Sequence, residues 1–224
     1  MAGYYSRTLS AERLRACYEV APPRAKAYLE AEVGFVLDHA GAGMRALELG
    51  CGYGRVLRRL AGAVRSTVGV DTSRASLGLA REFLSGLPAV KLLAMDAARM
   101  GLSDASFDLT VCVQNGISAF AADRRALLAE AVRVTRRGGT VLFSSYAASF
   151  WEARLEWFEA QAARGLIGRI DRRATGDGVI VCEDGFRATT VDAAGFEALA
   201  SDLGLACRIV EVASSSLCCE ITIP

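Results

Sequence analysis

Three glycines at alternate positions, Gly50, Gly52 and Gly54, follow the apolar run Ala46-Leu-Glu-Leu49. Such a bend lets the backbone turn sharply and approach a ligand closely, with the N–H groups of a following helix directed at it. Val68-Gly-Val-Asp71 ends a second apolar run with a carboxylate, and Ala94-Met-Asp96 ends a third in the same way. In a parallel α/β sheet the tip of the second strand lies beside the bend, where an ionised carboxylate can accept hydrogen bonds from both hydroxyls of a ribose. Either aspartate alone would read as a helix cap. Three strand tips in this order point instead to an adenosine-containing ligand. A nicotinamide-dependent oxidoreductase is one rival reading, but the dinucleotide fingerprint G-x-G-x-x-G requires its third glycine where Arg55 stands. The next apolar run, Asp108–Val113, opens into Gln114-Asn-Gly-Ile117, whose amides can orient a second molecule through their carbonyl and NH₂ groups.

Positioning these residues requires an alternation of strands and helices, and the chain has one. Ala46–Leu49, Thr67–Val70, Val90–Met95, Asp108–Val113 and Thr140–Ser144 read as strands. Gly54–Ala63, Ser73–Ser85, a short stretch at Ala97–Met100, and Ala121–Arg136, stopped by Gly138-Gly139, read as the intervening helical segments. This order implies right-handed βαβ units and a parallel sheet. Runs without polar alternation, such as Leu109–Val113, fit strands covered on both faces. Two helices precede the sheet. One is Ala11–Val20, capped by Ser10, and the other is opened by Pro22-Pro23 and carries Leu29, Val33, Val36 and Leu37 on one stripe. Beyond the fifth strand come an amphipathic segment, Phe150–Arg164, and the β-like pieces IGRID, GVIVCE and FRATTV, read as an insertion over the edge of the sheet. A helix, Asp192–Leu203, and two strands, Leu205–Val212 and Leu217–Ile223, complete the chain.

Glu48-Leu-Gly-Cys-Gly-Tyr-Gly54, with Asp71 and Asp96 at the following strand ends, resembles the cofactor motifs of class I S-adenosylmethionine-dependent methyltransferases. The resemblance spans Arg45–Gly139 by motif and extends to the C-terminus through the helix–strand–strand ending. It implies an α/β, Rossmann-like fold with a seven-stranded, mostly parallel sheet, one reversed strand, helices on both faces, an N-terminal helical lid and a β-rich insertion. As a single domain, it would divide into a lid over 1–43, a cofactor-binding core over 44–145, a substrate cap over 146–191, and a C-terminal helix and hairpin over 192–224. The resemblance assigns S-adenosylmethionine to Glu48, Gly50, Cys51, Gly52, Gly54, Asp71, Thr72, Asp96, Ala97 and Gln114. Asp71 would take the ribose, Asp96 the adenine amino group, and the Ala97 N–H the ring. Tyr4, Tyr5, Tyr18, Asn115 and Tyr146 are the substrate-side residues, with Tyr5, Asn115 and Tyr146 as catalytic candidates. Aromatic faces there can line a cationic sulfonium. Gln114-Asn-Gly-Ile117 departs from the Asn/Asp-Pro-Pro-Tyr pattern of enzymes that methylate amides and exocyclic base nitrogens, and points to a small-molecule N, O or S acceptor.

Composition narrows the alternatives. The 224 residues suit one domain, and a formal net charge of +1 argues against a nucleic-acid partner. Only Lys26 and Lys91 among the 26 basic residues are not arginine. A single histidine, His39, leaves no material for a Ser-His-Asp triad or a histidine-rich zinc site, and no metal is expected. Methyl transfer from a sulfonium needs chiefly alignment of the reacting atoms and exclusion of water. The longest uncharged runs have 14 residues, short of the roughly 20 that a membrane span needs. The first residues lack a secretion signal's apolar core, so a soluble, cytoplasmic monomer or homodimer with no membrane partner is expected. Seven cysteines without a C-x-x-C pair fit a reducing compartment. They also leave open a thiol or metalloid acceptor held by cysteine, with Cys182 placed to approach it. A non-catalytic S-adenosylmethionine-binding protein would carry the same motifs.

Overall fold

The computed structural model describes Tyr4 and residues 8–87, 89–120 and 122–224. Its centre is β1 (Arg45–Leu49), in which every residue from Ala46 to Leu49 is buried. β1 pairs in parallel with β2 (Ser66–Asp71) on one side and β4 (Phe107–Cys112) on the other. β3 (Val90–Ala94) extends the sheet in parallel beyond β2, and β5 (Thr135–Tyr146) extends it beyond β4. β9 (Ser216–Thr222) runs antiparallel to β5, and β8 (Arg208–Val212) antiparallel to β9. The resulting order, β3-β2-β1-β4-β5-β9-β8, reverses direction of progression between β1 and β4, the switch point at which such sheets bind ligands beyond their carboxyl ends.

Alternation along the strands divides the core into two layers. Leu47, Leu49, Cys112 and Phe143 pack on the side of α6 (Arg124–Val134) and α8 (Ala193–Ser201). Ala46, Leu109, Val111 and Leu142 face α2 (Pro23–Asp38) and α3 (Arg55–Leu60). α4 (Arg74–Phe83) buries Leu77 and Ala80 against Cys51 and Leu57. Side-chain caps start three of these helices: Ser73 accepts from the Ser76 N–H, Asp123 from Arg125 and Asp192 from Gly195. Ser10 does not cap α1 (Ala11–Glu19) with its side chain. The Ala11 N–H donates instead to Ser76 Oγ on α4, so a tertiary bond replaces the expected local one. No helix among the described residues is long and apolar enough to cross a membrane.

Several expectations are corrected. The helix placed over Ala121–Arg136 ends at Val134 and β5 begins at Thr135. Thr135 Oγ1 bonds to the Ala131 carbonyl and to Thr110 Oγ1 on β4, and the β4–β5 register shifts between Phe107 and Leu109. Ala97–Met100 forms a turn, in which Asp96 Oδ1 accepts from Ala98 N and the Arg133 guanidinium holds the Met100 carbonyl. The insertion has little β-structure, only the pair β6 (Ile180–Val181) and β7 (Arg187–Ala188), and IGRID contributes one bridge, Ile170 to Cys182. It packs over the carboxyl ends of the strands rather than along the sheet's edge. Ile180, Cys182 and Phe186 join Trp157 and Phe158 of α7 (Trp151–Ala163), Tyr146 at the tip of β5, and Cys17 of α1 in one cluster. α2, expected in the lid, belongs largely to the helical layer on the sheet through Val33 and Val36.

α3 lies so close to β2 that a Cβ on Gly69 would fall 2.4 Å from Leu57 Cδ1 and 2.8 Å from Cys51 Sγ. Gly69→Ala is expected to lower stability by about 1–3 kcal/mol in urea unfolding. An unchanged midpoint would show that this contact can relax.

Candidate functional site

The bend after β1 is clamped to the tip of β2. Gly50, Gly52 and Gly54 take φ values of +72°, +53° and +91°, in the left-handed region that side chains disfavour. The N–H groups of Gly50 and Cys51 both donate to the Val70 carbonyl, at 2.8 and 3.0 Å. The Gly52 N–H donates to Asp71 Oδ2 at 2.8 Å, and the Ser73 N–H to Oδ1 at 2.7 Å. One donor on each oxygen orients the carboxylate and leaves further lone pairs for a ligand. Burial pushes the Asp71 carboxyl up, while these N–H groups act to lower it. Phe120, just past α5 (Gly116–Ala119), closes the bend from the other side, its Cζ 2.8 Å from where a Gly50 Cβ would be.

Beyond the strand tips lies a cavity of about 640 Å³, within the range of small-molecule sites. Glu48, Gly50, Cys51, Gly52, Asp71, Thr72, Asp96 and Gln114 all line it, as do Tyr18 and Tyr146. Gly54 and Ala97 do not. Gly54 packs beneath Leu84, and the Ala97 side chain is buried in the core. Two substrate-side candidates point elsewhere. The Tyr4 hydroxyl donates to Asp184 Oδ2 at 2.5 Å, and its ring meets Phe186 edge-on at 4.9 Å. Asn115 has φ +56°, and its side chain turns back into the protein: Nδ2 donates to the Thr189 carbonyl at 2.9 Å and Oδ1 accepts from Ser145 Oγ at 2.9 Å. The Val191 N–H in turn donates to Ser145 Oγ, so Asn115 fastens the loop to the cap. Tyr5 lies outside the described residues. Cys182 is buried in the cap cluster and does not line the cavity.

Glu48 is 5% exposed and its Oε2 has no hydrogen-bond partner. Burial pushes its carboxyl up to about 8, against the lowering effect of Arg55, so it is mainly protonated at neutral pH. Burial also raises Tyr146 to about 12, so it is a neutral phenol, a hydrogen-bond donor rather than a base. Cys17, which lines the cavity from α1, is raised to about 12 for the same reason and is a thiol. His39 caps α2, with Nε2 3.1 Å from Glu220 and Nδ1 on the Phe35 carbonyl, and does not reach the cavity.

Several lining or supporting residues carry no motif. Arg55 lies 5.3 Å from the centre of the Tyr18 ring. Gln114 joins the two, its amide nitrogen donating to the Tyr18 hydroxyl at 3.0 Å and its oxygen accepting from Arg55. The fully buried Glu32, on α2, accepts from the Gln114 N–H at 2.8 Å and from Ser216 Oγ at 2.5 Å. Trp157, Phe158 and Gln161 line the cavity from α7. Trp157 and Gln161 are four residues apart and so share a helix face, but nothing local identifies which face meets the cavity.

Residues 46–139 match the methyltransferase domain family. The chain is 32% identical over 144 residues to a malonyl-[acyl-carrier protein] O-methyltransferase of Serratia marcescens, covering 62% of this chain and 54% of that protein. It is 35% identical over 114 residues to an arsenite methyltransferase of Aquipseudomonas alcaligenes, covering 46% of this chain and 32% of that protein. The chain thus spans about half or less of the length of the curated relatives it matches. Among solved structures, the DhpI–SAM–HEP complex superimposes with a TM-score of 0.67 at 21% identity, over 97% of this chain and 94% of that one, a likeness of fold.

Replacing Asn115 by alanine leaves Ser145 Oγ and the Thr189 carbonyl short of a partner inside the protein. The expected cost is about 1–3 kcal/mol of stability, read by urea unfolding. A variant as stable as the parent would contradict a fastening role.

Proposed function

We propose that this chain, whose residues 46–139 are a methyltransferase domain, moves a methyl group from S-adenosylmethionine to a small-molecule acceptor. The observation that carries this reading is the convergence on one cavity of the glycine bend, the tethered Asp71, Asp96 and Glu48, whose Oε2 has no partner. The donor set suits the cofactor. A buried carboxyl with one free oxygen suits a cationic group such as the ammonium of the methionine moiety. Asp71 keeps acceptor capacity for two ribose hydroxyls, and Asp96, at the next tip, stands where the adenine amino group would be met. When bound, S-adenosylmethionine supplies an activated methyl whose leaving group departs as a neutral thioether.

The protein's part is to orient and enclose. The bend holds the ligand's path close to the backbone, Phe120 covers it, and α1 with the cap residues of α7 excludes water, so the reacting atoms meet in a fixed line. Tyr146 can donate a hydrogen bond near the acceptor. The family match covers residues 46–139 and leaves out α1 and the cap, which supports a reading in which α1 and the cap select the acceptor. A cysteine-held metalloid is less favoured, because burial keeps Cys17 and Cys51 in the thiol form.

Two measurements test the cofactor assignment. Asp71→Ala is expected to weaken binding of S-adenosylhomocysteine at least about tenfold in calorimetry, the loss of charge-assisted bonds to the ribose. Equal binding by the variant would overturn the assignment. Glu48 is raised above the ordinary carboxylate range, so it is neutral below its shifted value and gains its charge as pH climbs. Affinity for the ammonium-bearing ligand should therefore rise as pH approaches about 8, and this rise should be absent in Glu48→Gln. A pH profile identical in the two proteins would remove Glu48 from that role.

A further inference from the structure

The cavity has two chemically unlike ends. Its carboxylic acids and guanidinium bases among the described lining residues, Glu48, Arg55, Asp71, Arg74 and Asp96, come from the tips of β1, β2 and β3 or from the first residues of α3 and α4. The wall built by α1, the tip of β5 and α7 consists of Leu14, Cys17, Tyr18, Tyr146, Trp157, Phe158 and Gln161, none of them charged at neutral pH. Its rings are closely grouped, Tyr18 and Trp157 having centroids 6.1 Å apart. The Trp157 Nε1–H is engaged with the Cys17 carbonyl at 2.8 Å, which fixes the indole with an apolar surface available to the cavity.

Gln161 differs from its neighbours on this wall. It is 3% exposed, it lines the cavity, and its side-chain amide has no hydrogen-bond partner among the described residues. Its amide is not among the fully buried unpartnered groups, so it faces the cavity's solvent, which a ligand's polar group can replace. The amide offers two N–H donors and a carbonyl acceptor, so it can receive a hydroxyl, a carbonyl or an amide. The buried guanidinium of Arg154 does not line the cavity. It lies 4.4 Å from the Tyr146 ring centre and 5.5 Å from that of Phe158, and its N–H groups donate to the Gly178 and Ala188 carbonyls. The Arg55 guanidinium, 5.3 Å from the Tyr18 ring centre, is engaged by Gln114 and Glu30, so an ionic group on this wall would be desolvated without a free counter-charge.

We propose that this wall is the acceptor subsite, that it takes an uncharged, flat and largely apolar molecule bearing one hydrogen-bonding group, and that Gln161 is the residue that reads that group. This rests on the methyl-transfer reading above and specifies its acceptor. Aromatic faces supply the area for the apolar body, and the single amide sets its orientation. A site built to hydrogen-bond one polar group discriminates strongly against analogues that lack it.

Equilibrium dialysis of the full chain saturated with S-adenosylhomocysteine tests this with four probes of one shape: 2-naphthol, naphthalene, 2-naphthoate and 2-naphthylmethylammonium. The wild-type protein is expected to retain 2-naphthol at least about tenfold more tightly than either charged probe. Gln161→Met, close to glutamine in length, and Gln161→Leu should each weaken 2-naphthol about tenfold toward the level of naphthalene, with naphthalene and S-adenosylhomocysteine binding unchanged. Retention of a charged probe as tightly as 2-naphthol would overturn the proposal. So would undiminished 2-naphthol binding in both variants, or no 2-naphthol binding by a protein that does bind S-adenosylhomocysteine. Failure to bind S-adenosylhomocysteine at all would instead overturn the methyl-transfer reading, and this one with it.

Discussion

The Asp71 carboxylate is held by two backbone N–H groups, one from the glycine bend and one from the turn that opens α4, and the ligand end of the cavity is arranged around that clamp. The carboxyl is desolvated enough for its pKa to rise, and the hydrogen bonds that offset this cost come from backbone whose position is set by the sheet itself. Val70, one residue earlier, receives the N–H groups of Gly50 and Cys51. The bend therefore cannot shift without breaking bonds to β2. Left-handed φ values at alternate glycines are what allow successive N–H groups to face the neighbouring strand tip.

A second buried carboxyl, Glu32, does the corresponding work for the loop after β4. Gln114 and Asn115 both have positive φ, at +59° and +56°, an uncommon state for residues with side chains. The Gln114 N–H to Glu32 and the Asn115 amide to Thr189 stabilise that conformation from opposite directions. Glu32 also holds Ser216 on β9. A helix, a loop and the reversed strand thus meet at one acid. Burial pushes its carboxyl up, and the hydrogen bonds act against that rise. The cap is tied to α1 by equally non-local bonds, from Arg13 to the carbonyls of Gly165 and Leu166 and from Trp157 to that of Cys17. The wall remote from the bend is accordingly assembled from segments about 140 residues apart.

This arrangement separates two chemical tasks. Charge is concentrated where strand tips and helix starts supply compensating backbone donors, and the α1–α7 wall is left neutral and aromatic. The segment that matches the methyltransferase domain family, residues 46–139, holds Glu48, Arg55, Asp71, Arg74 and Asp96. On that neutral wall Tyr146 and Cys17 are desolvated without a nearby group strong enough to draw off their protons, so both stay protonated at neutral pH.

The strands, their order up to β5, the bend, Asp71 and Asp96 were legible from residue types and spacing, because each depends on local periodicity or on a backbone conformation that only glycine adopts readily. The C-terminal hairpin with its one reversed strand was legible through resemblance. Side-chain direction outside regular elements was not. Asn115 looks inward because of its own φ and an acceptor at Thr189; Tyr4 turns to Asp184; Ser10 loses its capping role to Ser76. Nor could the chain's order alone show that α7 sets Gln161 into the cavity, or that burial would leave Glu48 Oε2 without a partner. By itself the sequence determined the frame and the strand-tip end of the cavity, since those follow from short-range geometry. Tertiary structure alone decided the α1–α7 wall and the protonation of its groups, because burial and hydrogen-bond partners there come from residues far apart in the chain.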